Sequence, residues 1–333
     1  MQTAMITGCA SGFGAALARR MLDTGTRVVV TDPNLEAIAH FACDDALCLA
    51  LDVRDDEAVR AAVAAANAWS PVDLLVNNGG YAVFGTQEEV ELGVVRDMFD
   101  VNVFGPARMT RALLPTLRER AGTVVQISSV AGRAVFPESG WYAASKYALE
   151  AMSEALLQEC ASFGVRVRLV EPGSFATHFL ETAVQASPQR DPGSPYASER
   201  ALWDRRKSSV LEPPQDPSLV VEAIVASLAR NVPFERVVVG PDSVRILALR
   251  EALGADGFSM LNARRNGLVV GHSQPGHVLL PSEVQAVLAA DPVDRAALEP
   301  TLQALQYGHL DHWADTEAGR AALALLDAHQ SAH

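Results

Sequence analysis

Thr7-Gly8-Cys9-Ala10-Ser11-Gly12-Phe13-Gly14 follows the short apolar segment Gln2 to Ile6 and runs directly into Gly12 to Leu22, where apolar residues recur at helical spacing. An apolar run, a glycine-rich turn and a helix start, in that order, form the first unit of an α/β fold with a parallel sheet. Glycines at this point let the backbone approach a pyrophosphate, whose charge would sit against the free N–H groups of the helix start. The spacing is G-x-x-x-G-x-G, and the candidate contacts are Gly8, Ser11, Gly12, Phe13 and Gly14. A turn of this kind can also serve only to fold a strand back onto a helix, so the next strand has to discriminate.

That strand, Arg27 to Thr31, is followed by Asp32, eighteen residues past Gly14, where a carboxylate can accept hydrogen bonds from the ribose hydroxyls of an adenosine. The same carboxylate would repel a 2′-phosphate, and no arginine or lysine stands beside it or inside the glycine turn, so the electrostatics favour NAD over NADP. The plain alternative is an aspartate that starts a turn before Pro33. Asp52 and Val53, after the third strand, are placed to meet the adenine, although Asp52 by itself would be only a turn residue.

Outward from this unit the pattern repeats as far as about residue 240. Candidate strands are Gln2 to Ile6, Arg27 to Thr31, Ala46 to Leu51, Leu74 to Asn77, Thr123 to Ser128, Val165 to Val170 and Arg236 to Val239. Runs such as VVV and TVVQIS are apolar on both faces, as a sheet covered on both sides requires. Helices are expected at Gly12 to Leu22, Asp55 to Trp69, from near Glu88, and at Tyr142 to Phe163. The fold class is therefore α/β, a doubly wound parallel seven-stranded sheet of Rossmann type in three layers. Proline, serine and charge between Ser187 and Pro217 predict a mobile excursion over the substrate. The pattern stops near residue 260, so the expected division is a catalytic domain over 1–258 and a helical extension over 259–333, with short helices near Ser282 to Ala290, Val293 to Leu305 and Thr316 to His329.

Tyr142 and Lys146 are four residues apart in a helical pattern and so share a face. A free phenol, with a pKa of about 10, is a poor base at neutral pH unless a neighbouring cation favours the phenolate. So poised, it can take a proton from an alcohol or give one to a ketone. The chain has 25 arginines and only two lysines, Lys146 and Lys207, and one of the two stands here, where a compact ammonium suits both a phenol and a ribose. The alternative is an ordinary exposed i,i+4 pair. Upstream, Ser128-Ser129 ends a strand at the carboxyl edge where open parallel sheets bind ligands, and only one of two adjacent serines can face the site.

Taken together, TGCASGFG, the NNGG at Asn77 to Gly80, Asn102, the ISS before Val130 and Tyr142-x-x-x-Lys146 resemble the short-chain dehydrogenase/reductase family over roughly residues 1 to 250. The resemblance selects Ser129, thirteen residues before Tyr142, as the serine that holds the substrate oxygen. It implies that Asn102 stabilises a kinked helix and holds a water in a relay with Lys146, that Lys146 also binds the nicotinamide ribose, and that Asn78 and Gly79 border the adenosine ribose. Pro172-Gly173-Ser174-Phe175-Ala176-Thr177 is similar to the family's P-G-x-x-x-T segment, which implies contacts from Pro172, Gly173, Phe175 and Thr177, the threonine meeting the carboxamide. The family's usual N-N-A-G reads N-N-G-G here, which loosens a turn without removing a functional group. The implied chemistry is metal-free hydride transfer between NAD(H) and a secondary alcohol or ketone, with Tyr142 as general acid/base.

Val135, Phe136, Phe179 and Trp203 stand in the segments expected to wall the substrate, and the string from Ser128 to Phe179 resembles the branch that handles retinol-like and steroid-like alcohols; each aromatic could equally fill the core. A net charge of −13, spread along the chain, excludes a nucleic-acid backbone or an anionic membrane as partner. The four cysteines form no C-x-x-C pair and read as inert thiols, and His309-Leu310-Asp311-His312 lacks a further clustered ligand for zinc. With no secretory signal and no apolar run of membrane-spanning length, the expected location is the cytoplasm and the expected partners are a small molecule and further copies of the chain, as a homodimer or homotetramer. Two other functions compete: a nucleotide-binding sensor without turnover, and a scaffold that binds a partner through its tail.

Overall fold

The computed structural model describes residues 2–200, 203–204 and 214–265. Lys207, the three helices expected in the tail and His309 to His312 lie outside the described residues. Two units are distinguished, Met1–Arg190 with Leu211–Ser243, and Asp191–Val210 with Val244–His333, and the sheet belongs wholly to the first.

Its seven strands are β1 (Thr3–Thr7), β2 (Arg27–Asp32), β3 (Ala46–Ala50), β4 (Leu74–Asn77), β5 (Thr123–Ile127), β6 (Arg166–Pro172) and β7 (Phe234–Val239). They form one sheet in the order β3-β2-β1-β4-β5-β6-β7, and every pairing is parallel. The order reverses beside β1, which puts the turn after β1 at the switch point where such sheets open a crevice.

The helices include α1 (Gly12–Asp23), α2 (Leu35–Ile38), α3 (Asp56–Trp69), α4 (Leu92–Phe99), α5 (Gly105–Glu119), α6 (Gly140–Cys160), α7 (Phe179–Ala186), α8 (Ser218–Ala229) and α9 (Pro241–Arg265, interrupted at Gly254). Successive strand residues serve opposite faces. Ala4, Ile6, Val28, Val30, Leu74 and Val76 pack with Leu17 and Met21 of α1 and Val220 and Ile224 of α8. Their neighbours Met5, Val29, Leu75 and Val124 pack with Val59 and Val63 of α3, Met109, Leu113 and Leu117 of α5, and Leu156 of α6. The doubly apolar runs in the sequence are thus the two faces of a covered parallel sheet. Within this core Arg168 is fully buried, and its guanidinium donates to the carbonyls of Val167, Ser227 and Arg230, tying the end of α8 to β6.

The expected elements stand within a few residues of their predicted bounds, with one displacement: the helix expected from Glu88 begins at Leu92. Glu89 and Val90 donate backbone N–H groups to Thr86 O, and the Thr86 hydroxyl donates to Glu89 Oε2, so a local turn takes the residues that helical periodicity alone would assign to the helix. No helix of the described residues is long and apolar enough to cross a membrane.

The start of α1 fits against the turn only because Gly14 has no side chain: a Cβ there would lie 2.3 Å from Gly8 O. Gly14→Ala is expected to lower stability by about 2 kcal/mol, read as a fall in Tm. Gly93→Ala in α4, whose Cβ would meet nothing within 4 Å, should leave Tm unchanged or slightly raise it.

Candidate active site

The carboxyl ends of β1, β4, β5 and β6 bring the candidate residues together. Gly8 and Gly12 take positive φ values of 71° and 58°, which bend the chain from β1 into α1. Ser11 caps the helix without a side-chain hydrogen bond, leaving the first N–H groups of α1 free of that hydroxyl. The β1 turn is braced from β4: Asn78 Nδ2 donates to Thr7 O at 2.8 Å and Gly8 O at 3.0 Å, and Gly79 N donates to Thr7 Oγ1 at 3.0 Å. Asn78 therefore has its amide committed to shaping the turn, a role its sequence position does not reveal.

Asp32 accepts from Ala10 N at 3.1 Å and Asn34 N at 2.9 Å, so its carboxylate sits directly beside the glycine turn. Asp52 is engaged by Arg54, Nη2 to Oδ2 at 2.7 Å, and that guanidinium holds the carboxyl below its ordinary range. Val53 packs against Gly105, where a Cβ would lie 2.6 Å from Val53 Cγ2.

Opposite the glycine turn stands the segment after β6. A Cβ on Gly12 would touch Thr177 at 3.6 Å, and the Phe13 and Phe175 rings meet edge to face at 5.6 Å, so Pro172 to Thr177 and the turn border one space. The segment is held by a residue that sequence reasoning missed. Asp242, buried at the start of α9, accepts from Ser174 N at 2.7 Å and Ser243 N at 2.9 Å. Its carboxylate fills the place of a side chain at Gly173, where a Cβ would come within 2.0 Å of Asp242 Oδ1. Nothing in the local sequence marks an aspartate 68 residues downstream as the brace.

Tyr142 and Lys146 occupy one buried face of α6, with the Lys146 Nζ 5.9 Å from the centre of the Tyr142 ring. Nζ donates to Ile127 O at 2.8 Å, which pins the ammonium to the end of β5. Ser129, two residues on, accepts from Ala131 N at 3.1 Å and turns its hydroxyl toward the phenol. Asn102 lies in a π-helical turn, Asp100–Phe104, between α4 and α5. It accepts from Tyr81 N at 3.1 Å and donates to Tyr81 O at 2.8 Å and Ser145 Oγ at 3.1 Å. A Cβ on Gly80 would lie 3.0 Å from Asn102 Oδ1 and 3.7 Å from Lys146 Nζ, so the two side chains converge on that glycine.

Electrostatically the pair departs from the simple expectation of a phenol acidified by its lysine. Burial pushes the Tyr142 phenol up to about 12, offset only in part by the Ser129 hydroxyl. The same burial draws Lys146 down to about 8. Desolvation penalises both charged forms, and it is the largest influence on each.

The Tyr142 ring lies between Phe84, at 6.1 Å, and Phe179, at 5.7 Å. Phe179 thus stands beside the phenol, as does Phe84, from the loop after β4, which has no signal in its spacing. Val135 and Phe136 lie on the connection from β5 to α6, Val135 being exposed and Phe136 half-buried. Trp203 belongs to the second unit. Cys9 is buried under the turn with its thiol pushed up to about 12, chiefly by burial.

A family model described as short chain dehydrogenase matches residues 2–188. Human retinol dehydrogenase 8 is 36% identical over 70% of this chain and 79% of its own length. Among solved structures, a short-chain dehydrogenase from Streptomyces avermitilis is 35% identical, covers 79% of this chain and 97% of its own, and superposes with a TM-score of 0.67. One from Burkholderia phymatum in complex with NAD is 27% identical at a TM-score of 0.65 over 75% of this chain and 92% of its own. A serine dehydrogenase complexed with NADP+ is 25% identical at 0.60 over 71% and 94%.

Asn102→Ala would strip the N–H and C=O of Tyr81 of this partner and leave the Ser145 hydroxyl with only its donation to Tyr142 O. A loss of about 2–4 kcal/mol is expected in urea unfolding, together with disruption of the π turn visible as altered hydrogen-exchange protection at Asp100 to Phe104.

Proposed function

The chain belongs to the short-chain dehydrogenase family, and on that premise we propose that it is an NAD-dependent oxidoreductase that interconverts a bulky, apolar secondary alcohol and its ketone. The observation that carries this is the convergence of Ser129, Tyr142, Lys146 and Asn102 beside a glycine turn that faces Thr177.

The residues present fit a nicotinamide dinucleotide. Gly8, Ser11, Gly12, Phe13 and Gly14 offer a tight backbone cradle at a helix N-terminus for the pyrophosphate. Asp32 would accept from the adenosine ribose hydroxyls and, as a fixed negative charge beside the turn, supports NAD over NADP. Asp52, Val53, Asn78 and Gly79 would border the adenosine, and Pro172, Gly173, Phe175 and Thr177, braced by Asp242, the nicotinamide. When bound, that ring supplies the hydride acceptor or donor.

Tyr142 acts as general acid/base. Its phenol, held in the protonated form by burial, is set to deliver a proton to a ketone oxygen; in the oxidative direction it must ionise, and the Lys146 ammonium favours that form. Ser129 orients the same oxygen with its hydroxyl. Asn102 keeps the π turn and Tyr81 in place beside Lys146 and would hold a water from which the ammonium is recharged. Phe84 and Phe179 keep the phenol dry and offer an apolar wall, which supports a substrate of the retinol or steroid kind. Val135 and Phe136 are proposed to extend that wall. On α6, Ala144 and Ala151 are exposed and support self-association as a dimer or tetramer, whereas Ala143 is buried in the chain's own core.

Tyr142→Phe should reduce kcat by at least about 10³-fold while NADH fluorescence titration shows binding unchanged; retained turnover would remove Tyr142 as the acid/base. In a screen of secondary alcohols followed by NADH absorbance, kcat/KM should favour NAD over NADP by about tenfold or more, and Asp32→Ser should erode that preference. An NADP preference in the native chain would overturn the assignment of Asp32.

A further inference from the structure

A buried ammonium needs more than the single carbonyl of Ile127, because a neutral dipole compensates only part of the desolvation of a full charge. One turn beyond Lys146 on the same face of α6 stands Glu150, and both side chains are buried, at 6% and 5% exposure. Glu150 does not stand alone. Glu171 on β6 is fully buried, and Arg236 from β7 lies between the two acids, with Nε 3.2 Å from Glu150 Oε2 and 3.2 Å from Glu171 Oε1. Arg133, from the segment before α6, reaches Glu171 Oε2 at 3.3 Å, and Arg236 also pairs with Glu154 at the exposed side of α6. The absence of a side chain at Gly132 makes room for this cluster: a Cβ there would lie 2.7 Å from Ser128 Oγ and 3.1 Å from Glu150 Oε1.

The charged or titratable groups facing Glu150 are therefore Lys146 on its own helix, Glu171 on β6, Arg236 on β7 and Arg133; those facing Lys146 are Tyr142 and Glu150. Burial pushes Glu150 above the usual carboxylate range and Glu171 up to about 7, its neighbour Glu150 adding to the rise and the two arginines opposing it. Lys146, drawn down by burial, is pulled back up by Glu150. A plain ion-pair clamp fastening α6 to β6 and β7 would need Glu150 and the arginines but no lysine.

We propose, on the premise that Lys146 serves Tyr142, that Glu150 is a positioning residue for the active site: its carboxylate supplies the counter-charge that keeps Lys146 an ammonium, while Arg133 and Arg236 hold that carboxylate ionised beside Glu171. Glu150 touches neither substrate nor cofactor. It acts through Lys146, and the lysine through the phenol.

The composition makes the test direct, since the full chain labelled with 13Cε-lysine gives signals from two side chains and Lys207→Arg assigns the second. The Lys146 signal should titrate near pH 8 in the native chain. In Glu150→Gln the midpoint should fall by about one pH unit, and in Glu150→Asp, which keeps the charge, it should return toward the native value. An unchanged midpoint in Glu150→Gln overturns the proposal. Glu171→Gln is the second variant. Removing the acid that repels Glu150 favours the ionised carboxylate, so the Lys146 midpoint should stay or rise, and a fall would equally overturn it. The signal reads the ammonium whether or not the chain turns over substrate, whereas the catalytic assignment stands on Tyr142→Phe, so the two can fail separately.

Discussion

A cation buried inside a sheet protein dictates its surroundings. Lys146 has lost nearly all of its water, and the donation to Ile127 O fixes where its helix must dock, with α6 laid along the carboxyl end of β5. That docking sets the phenol one turn earlier beside Ser129, and it brings Glu150 one turn later to Arg236 of β7. Burial stiffens the geometry because a donor or acceptor so placed is costly unless it is paired within the protein.

The apolar frame and the polar site are complementary in this fold. Alternation along β1, β2, β4 and β5 sends apolar residues to two helical layers, and the candidate chemistry gathers at the carboxyl ends. There the backbone bends through glycines, and the positions that glycine leaves open are taken by neighbours: Gly8 O and Asn78 beside Gly14, Asp242 beside Gly173, Ser128 and Glu150 beside Gly132.

This separation also explains what could be read in advance. The strands were legible because β-branched runs covered on both faces leave a plain pattern, the glycine turn, Asp32, Tyr142 and Lys146 were legible because each sits at fixed spacing within one local segment, and Ser129 was separated from Ser128 only by the family resemblance. Asp242, Glu150, Glu171 and Phe84 were not. Each acts on a partner from another element, and a carboxylate on a helix reads as a solvated face until the fold carries it inside. The start of α4 escaped for a different reason: the Thr86 hydroxyl and carbonyl capture residues that periodicity would have given to the helix. The charge balance of Tyr142 and Lys146 depends on how deeply both are buried, which spacing does not express.

The π turn at Asp100–Phe104 joins two helices that serve different masters. Val95 and Met98 ahead of it pack around Tyr142, while Met109, Leu113 and Leu117 behind it pack on the sheet. The wider turn is a phase shifter between two apolar stripes that a continuous α-helix would present at another mutual angle. Removing one residue from it would turn one stripe against the other by about 100°. Either the strands or the phenol would then lose their cover, so the length of this turn is as much a condition of the chemistry as the identity of Asn102 within it.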